Sequence, residues 1–263
     1  MPILELREVS HYYFTKKGYT KALENISFSM EAGQFISLLG PSGCGKSTIL
    51  SIVGRLLENT SGKVLIHNEP IDKNEAEIGY MLQQDYLFPW KTVLDNVMLG
   101  PKIQKRQNKE LEDRAKKLLQ EVGLGNVLSQ YPKELSGGMR QRAALVRTLM
   151  NNPEIFLLDE PFSALDFQTK LKLEDLVATI LKNYHKTTIL VTHDIGEAIA
   201  MSDSIIIMHA NPGRIAHVYD VPEVLRNETP MIARKHEAFQ PLFDKIWQDL
   251  EETESKEKIG DST

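Results

Sequence analysis

The 263-residue chain has little of several features that mark particular classes of protein. It contains one cysteine, Cys44, which excludes an internal disulfide and fits a reducing compartment. It has no apolar run long enough to span a membrane. Its N-terminus, MPILELREVS, lacks the basic and apolar regions of a secretory signal. We therefore expect a chain that stays in the cytosol and has no membrane span of its own.

The chain also lacks a large excess of either positive or negative charge. The formal net charge is −5, and residues 251–263 carry five acids against two lysines, so about half of the imbalance lies at the C-terminus. This distribution provides no broad basic surface, and we expect no nucleic-acid partner. With 41% hydrophobic and 25% charged residues, the composition is that of a globular protein. We expect a single domain over 1–250 and a disordered polar tail over 251–263.

Short apolar runs rich in branched residues alternate with longer stretches of mixed charge, a pattern typical of α/β proteins. Residues 102–122 carry leucines at helical spacing among many charges, which predicts a helical insert between two groups of strands. The runs that we predict to be strands are 3–9, 35–40, 64–67, 155–159, 188–193 and 204–208.

A glycine-rich segment, GPSGCGKST, follows the predicted strand at 35–40 and precedes a predicted helix. It matches the phosphate-binding pattern GxxxxGK[ST], in which successive backbone N–H groups and the positive end of the helix dipole face phosphate oxygens. Lys46 would reach the β and γ phosphates of a nucleotide and Ser47 would bind Mg²⁺. An incidental glycine-rich turn is the alternative. The predicted nucleotide-binding residues here are Gly40, Pro41, Ser42, Gly43, Cys44, Gly45, Lys46, Ser47 and Thr48.

A second segment, IFLLDE at 155–160, is a predicted buried strand that ends in two adjacent carboxylates. A P-loop protein needs an acid beside Mg²⁺ at such a strand end, and Asp159 suits that role. Glu160 would then point to another side and orient or deprotonate the attacking water. An Asp-Glu pair without a P-loop is commonly just a solvated strand end.

The segment LSGGMRQ at 135–141 resembles the signature sequence of ABC ATPases. It occurs with further elements of that family in the family's order: Gln83 in MLQQDYLFPW, Asp166 in SALD and His193 in VTHD. The resemblance extends from about residue 13 to His193. It implies the ABC-type P-loop fold, an α/β core with an N-terminal antiparallel β region and an inserted helical subdomain at about 88–150.

The resemblance also implies roles for individual residues. Ser136, Gly137 and Gly138 would contact the γ-phosphate of ATP held by a second copy of the chain, so the functional unit would be a homodimer. Gln83, rather than Gln84, would sense Mg²⁺ and the attacking water, and Asp166 would adjoin the nucleotide. His193, at the end of the predicted strand at 188–193 and before Asp194, would be the family's switch histidine and take part in catalysis. Tyr13 would stack on adenine, with Tyr12 as the alternative and a purely structural aromatic as a third possibility.

Two further segments, FPWKTVLDNV at 88–97 and NPGRI at 211–215, look like those of the nitrate, sulfonate and taurine import group, and thiamine-precursor importers share them. The resemblance therefore implies an ATPase subunit on the cytoplasmic face of the membrane, with two permease subunits and, indirectly, a solute-binding protein as partners. Trp90 would either dock on a permease or pack the helical insert. The alternative function is an ABC-type ATPase of a soluble assembly, without a membrane partner.

Overall fold

Ten strands form two sheets in the computed structural model, which describes residues 1–16 and 18–260. Each predicted strand overlaps an observed one, and those at 35–40, 155–159, 188–193 and 204–208 agree within one residue at either end. Strands β2, β5, β6 and β10 were not predicted. The strands are β1 Leu4–Thr15, β2 Gly18–Met30, β3 Phe35–Leu39, β4 Ser61–Ile66, β5 Glu69–Pro70, β6 Ile78–Met81, β7 Ile155–Asp159, β8 Thr187–Thr192, β9 Ser204–His209 and β10 Arg214–Asp220.

The larger sheet has the order β10-β9-β3-β8-β7-β6, and all neighbours are parallel except β10 and β9. Every residue of β3 and β8 is buried, because helices cover both faces of a parallel sheet. The carboxyl ends of parallel strands meet at one edge, where open α/β sheets bind ligands. The loops after β3, β7 and β8 therefore lie side by side at this edge.

The helices pack against this sheet and against one another, and they account for the rest of the regular structure. They are α1 Lys46–Val53, α2 Val93–Val97, α3 Leu99–Ile103, α4 Lys109–Glu121, α5 Gly137–Leu149, α6 Phe167–Asn183, α7 Ile195–Met201, α8 Glu223–Arg226, α9 Pro230–Ala233 and α10 Phe239–Gly260, with a 3₁₀ turn at Pro132–Glu134.

The predicted helical insert corresponds to α2–α5. Helix α4 buries Ala115, Leu118 and Leu119 on one face, as its leucine spacing indicates. These side chains belong to the same hydrophobic cluster as Phe156 of β7 and Leu190 of β8, so the helical segment packs directly on the sheet. This packing holds the segment that contains Gln83 and the start of α5 close to the edge of the sheet where the loops meet.

The second sheet is antiparallel, with the order β2-β1-β4-β5. Its apolar side chains, such as Leu4 and Leu23, share one hydrophobic cluster with Ile49 of helix α1 and with Leu157 of β7 and Val191 of β8. This packing places the outer part of β1 beside the glycine-rich loop.

Helix α10 extends through Gly260 and so enters the segment 251–263, for which a disordered polar tail stays a prediction. The segment EETESKEK consists largely of glutamate and lysine, which favour a helix once the preceding turns have nucleated it. Residues 261–263 lie outside the described residues.

Candidate functional site

The glycine-rich loop lies between β3 and α1 in close contact with neighbouring strands. A Cβ on Gly40 would lie 2.6 Å from the carbonyl oxygen of Met208, and one on Gly45 would overlap the side chain of Leu23. Gly45 has φ +92° and Gly43 has φ +83°, a backbone region that side chains disfavour. The glycines are therefore needed for packing as well as for a backbone that can surround a phosphate.

The Lys46 side chain folds back over this loop. Its Nζ donates hydrogen bonds to the carbonyl oxygens of Gly40, at 2.7 Å, and Pro41, at 2.8 Å, and it lies 3.6 Å from Cys44 Sγ. Burial raises the pKa of the Cys44 thiol, and the nearby Lys46 charge opposes that rise only in part. Cys44 is thus a small buried thiol, while Lys46 supplies a positive charge inside the loop.

Ser47 and Asp159 form the first pair of predicted residues that the fold brings together. Ser47 Oγ donates to Asp159 Oδ1 at 3.1 Å, and Tyr80 OH donates to Asp159 Oδ2 at 3.3 Å. Burial raises the pKa of Asp159, while these two hydrogen bonds lower it. A hydroxyl and a carboxylate side by side match the oxygen ligands that Mg²⁺ prefers.

This donor set fits Mg²⁺ held partly by a nucleotide. Within the described residues, no group of three or more His, Cys, Asp or Glu side chains is arranged to hold a metal ion. Mg²⁺ is usually bound through one or two protein oxygens together with phosphates and waters, and not by an all-protein cage. The Ser47–Asp159 pair fits such a site, and Ser47, Asp159 and Gln83 all stay predictions as protein ligands.

Glu160 points away from Asp159 and towards His193. The two side chains approach to 3.3 Å between Glu160 Oε2 and His193 Nδ1. Glu160 has φ +47°, and its amide donates to the carbonyl oxygen of Val191 at 3.0 Å, so the backbone turns sharply where β7 ends. That turn gives the adjacent carboxylates of Asp159 and Glu160 different directions and different neighbours.

Gln83 connects to the same turn. Its Nε2 donates to Ser163 Oγ at 3.1 Å, and Ser163 Oγ donates to the carbonyl oxygen of Glu160 at 3.0 Å. The carbonyl oxygen of Gln83 accepts a hydrogen bond at 3.1 Å from Nε2 of Gln141, the last residue of LSGGMRQ. Sequence reasoning missed Ser163, Gln141 and Tyr80 as neighbours of the site, although all three lie within or next to its motifs.

The signature segment forms the start of α5. Ser136 is the N-cap, and its Oγ accepts a hydrogen bond from the Met139 amide at 3.3 Å. A Cβ on Gly138 would lie 2.7 Å from Thr169 Cγ2. Hydrogen bonds from the Thr169 side chain and from its amide, which donates to Asp166 Oδ1 at 3.1 Å, hold the pKa of the Asp166 carboxyl below its usual range. Among the described residues, no hydrogen bond joins Ser136, Gly137 or Gly138 to the glycine-rich loop, whereas Asp166 and the signature lie next to each other.

The two adjacent tyrosines of β1 face opposite ways. Tyr13 OH lies 3.3 Å from Thr48 Oγ1, at the end of the glycine-rich loop, and the residue is 44% exposed. Tyr12 instead packs against Phe14 and Tyr19 on the other side of the strand. The position of Tyr13 therefore favours it over Tyr12 as the aromatic at a nucleotide.

The NPGRI segment is the turn between β9 and β10, and it rests on the glycine-rich loop. A Cβ on Gly213 would overlap the Cys44 carbonyl oxygen and lie 2.7 Å from that of Ala22. Gly213 also accepts a hydrogen bond from the Glu24 amide at 2.9 Å. The segment is a turn, and only glycine fits at this contact with the loop.

Comparison with known proteins identifies the family to which a chain with these contacts belongs. The sequence profile of the family described as ABC transporter matches residues 23–163, more than half of the chain. The chain belongs to the ABC transporter family. It is an ATP-binding subunit of that family, and the predictions of family and fold are confirmed.

The relatives cover nearly the whole chain. One is 54% identical over 98% of this chain and 99% of its own length, an uncharacterized ABC transporter ATP-binding protein, YtlC, of Bacillus subtilis (strain 168). Another is 39% identical over 94% of this chain and 96% of its own, the aliphatic sulfonates import ATP-binding protein SsuB of Bacillus cereus. A dimeric structure of a post-hydrolysis state of the cassette MJ0796, bound to ADP and Pi, has a TM-score of 0.73 at 32% identity and covers 83% of this chain and 99% of its own.

Proposed function

We propose that this chain hydrolyses ATP to power the import of a small solute through a multi-subunit ABC transporter. The observation that carries the proposal is the pairing of Ser47 with Asp159 and of Glu160 with His193, at the edge of the sheet where β3, β7 and β8 end. The proposed solutes are a sulfonate, nitrate, taurine or a related small solute; the family supports an ATP-binding role, and the sulfonate-import relative supports a sulfonate among them. The test is ATP-dependent solute uptake into vesicles that contain this chain and its membrane subunits.

Each paired group has a defined task in this proposal. The loop amides and Lys46 bind the phosphates, which requires Lys46 to exchange its contacts with two loop carbonyls for phosphate oxygens. Ser47, Asp159 and Gln83 would hold Mg²⁺, which neutralises charge on the β and γ phosphates. Glu160 orients the attacking water and accepts its proton, and His193 holds Glu160 in position through their 3.3 Å contact.

Replacing Tyr13 with Ala is expected to weaken ATP binding by about 1–3 kcal/mol, the usual contribution of a base stacked on an aromatic ring. The matched control is Tyr12→Ala, which removes a neighbouring ring that contacts Phe14 and Tyr19 on the other side of the strand. Calorimetric titration with ATP measures both. Equal affinities of the Tyr13 variant and the wild type, or a larger loss for the Tyr12 variant, would assign the stacking role elsewhere.

The proposed functional unit is a dimer of two copies, in which the signature of one copy completes the ATP site of the other. Within one copy, Ser136, Gly137 and Gly138 make no hydrogen bond to the glycine-rich loop in the part of the chain that the structure describes. The related cassette with bound ADP and Pi is dimeric, which supports the same assembly for this chain. A dimer also gives the N-terminus of α5 an anionic ligand in its partner.

The membrane partners that we propose are two permease subunits, and a solute-binding protein acts indirectly through them. Bound to the permeases, the chain acts at the cytoplasmic face of the membrane as a peripheral subunit. No helix in the described part of this chain is long and apolar enough to span a membrane. Co-purification with polytopic proteins separates this proposal from an ATPase that acts in a soluble assembly.

Trp90 is the side chain that we propose as a docking residue for a permease. It is 69% exposed and packs against Phe88, with ring centroids 5.1 Å apart. The turn that carries both rings is fixed from beneath by the buried Asn96, which accepts from the Phe88 amide and donates to the carbonyl oxygens of Phe88, Lys91 and Thr92. The turn therefore holds its shape without the Trp90 side chain.

Trp90→Ala is expected to weaken binding to the permease subunits and to leave stability within about 0.5 kcal/mol of wild type, the usual range for a surface change. If Trp90 packed the helical segment instead, the variant would lose about 3–5 kcal/mol. Melting temperature and pull-down by the permease subunits, measured on the same variant, distinguish these outcomes. Trp247→Ala, which removes another half-exposed tryptophan on α10, is the matched control. A large drop in melting temperature with a normal pull-down would exclude the docking role.

A further inference from the structure

A largely buried group of five charged side chains lies behind His193 and takes no part in the chemistry described above. We call it the Lys170 cluster; its members are Lys170, Glu174, Asp194, Glu197 and Arg234. They come from three parts of the chain: helix α6, the start of α7, and the end of α9. Charged side chains are rarely buried unless they are paired, so such a cluster calls for an explanation.

Lys170 is at the centre of the cluster. Its Nζ lies 2.6 Å from Asp194 Oδ2, 3.0 Å from Glu197 Oε2 and 3.9 Å from Glu174 Oε1. Arg234 supplies the second positive charge, 2.6 Å from Glu174 Oε2. Two cations thus face three carboxylates, and Lys170 contacts all three.

The carboxylates differ in how strongly they hold their charge. Burial raises the pKa of Glu197 to about 7, and burial also raises the pKa of Glu174. Asp194 is different: burial disfavours its charge, but hydrogen bonds from Lys170 and from the Glu197 amide hold its pKa below the usual range. The Asp194 carboxylate is therefore the member of the cluster whose charge Lys170 stabilises against burial.

The Lys170–Asp194 pair joins two elements that carry residues of the ATP site. Asp194 directly follows His193 and caps α7, accepting a hydrogen bond from the Glu197 amide at 3.0 Å. Lys170 is in the first turn of α6, whose N-cap is Asp166; the Lys170 amide donates to the Asp166 carbonyl oxygen at 2.8 Å. The side chain of Lys170 thus ties the residue after His193 to the helix that begins at Asp166.

We propose that Lys170 is a positioning residue for ATP hydrolysis: by holding Asp194, it fixes His193 against Glu160 and relative to the Asp166 turn. The inference rests on the proposed ATPase function. In the described part of the chain, Lys170 contacts neither the phosphate-binding loop nor Glu160. The inference therefore adds to the hydrolytic machinery a residue that lies outside both. Displacing a positioned catalytic group by about 1 Å can lower a rate by roughly 10²-fold.

The test compares Lys170→Met, Lys170→Arg and the control Lys172→Met, which changes an exposed lysine of the same helix. With ATP and Mg²⁺, Lys170→Met should lower kcat by roughly 10²-fold. The affinity for ATP should stay close to that of wild type, because the phosphate-binding loop is untouched. Lys170→Arg should recover most of kcat, and Lys172→Met should match wild type. A wild-type kcat for Lys170→Met would overturn the positioning role.

A double-mutant cycle with His193→Ala separates positioning from general destabilisation. If Lys170 acts through His193, adding Lys170→Met to His193→Ala should change the residual rate by less than about twofold, since coupled effects are not additive. If the two substitutions instead lower the rate independently, so that their fold-losses in kcat multiply in the double variant, the proposal is overturned. Should Lys170→Met fail to fold, Asp194→Asn decides, because asparagine still caps α7 but lacks the charge that Lys170 binds; it should reproduce the loss of kcat, and a wild-type kcat would overturn the proposal.

The wild-type assay keeps the two hypotheses apart. If the wild-type chain, alone or with its permease subunits, does not hydrolyse ATP, the proposed function itself is wrong. If the wild type hydrolyses ATP and the Lys170 and Asp194 variants do so equally well, only the positioning role is wrong.

Discussion

Replacing Glu160 with Gln is expected to lower the rate of ATP hydrolysis by about two to four orders of magnitude, the usual contribution of a general base. The reason is local. Glu160 is the carboxylate that faces His193, whereas the Asp159 carboxylate accepts hydrogen bonds from Ser47 and Tyr80. Glutamine has nearly the same shape but cannot accept the proton of the attacking water. ATP binding should remain, because Lys46 and the loop amides are unchanged.

The contrast for this experiment is Lys46→Ala, which removes the cation inside the loop. That variant should lose affinity for ATP, whereas Glu160→Gln should bind ATP as wild type does and fail only in turnover. Steady-state rates and equilibrium titration with ATP, measured on both variants, give the two quantities. A Glu160→Gln rate close to that of wild type would assign the general base to another residue.

In the Glu160→Gln background, ATP is expected to convert the protein from monomer to dimer, and Ser136→Arg is expected to prevent the conversion. Ser136 lies at the N-terminus of α5. Its small hydroxyl and the following glycines would leave space for the γ-phosphate of ATP bound to the proposed partner copy. Arginine would fill that space. Size-exclusion chromatography with and without ATP measures the dimer fraction directly.

Ser136→Ala is the control for loss of the helix cap, since Ser136 Oγ accepts from the Met139 amide. Losing such a cap costs about 1 kcal/mol of stability but adds no bulk. Ser136→Ala should therefore still dimerise with ATP, although less tightly than its parent. Dimers that form without ATP and that tolerate Ser136→Arg would rule out an assembly sandwiched around the nucleotide.

The sequence predicts the chemically important part of the fold because its strands are short, buried and apolar. Strands β7, β8 and β9 are such runs, and the motifs stand directly at the ends of β3, β7 and β8. Strands β2 and β10 were missed because each mixes buried or half-buried positions with exposed and charged residues, as in GYTKALENISFSM. Strand β2 forms by pairing with β1, and β10 forms by pairing with β9. The sequence patterns of β2 and β10 alone do not reveal these partners.

The residues of the candidate site also divide into those that the sequence predicts and those that only the fold reveals. Motif spacing alone predicted the loop residues and the adjacent carboxylates, because each motif is continuous in the sequence. The choice between Tyr12 and Tyr13 required the side that each ring occupies, which depends on the irregular pairing of β1 with β2. The Lys170 cluster was not predicted, since Lys170, Asp194 and Arg234 are far apart in the chain and each one looks like an ordinary surface charge.

The most direct test of the whole account is to mix two inactive variants, Ser136→Arg and Glu160→Gln, before adding ATP and Mg²⁺. In a symmetric dimer of one copy of each, one site would combine the intact loop and Glu160 of the Ser136→Arg chain with the intact signature of the Glu160→Gln chain. Each mixed dimer would have one working site of two, so the mixture should regain ATP hydrolysis that neither variant shows alone. A mixture no more active than the separate variants would contradict an ATP site shared between two copies.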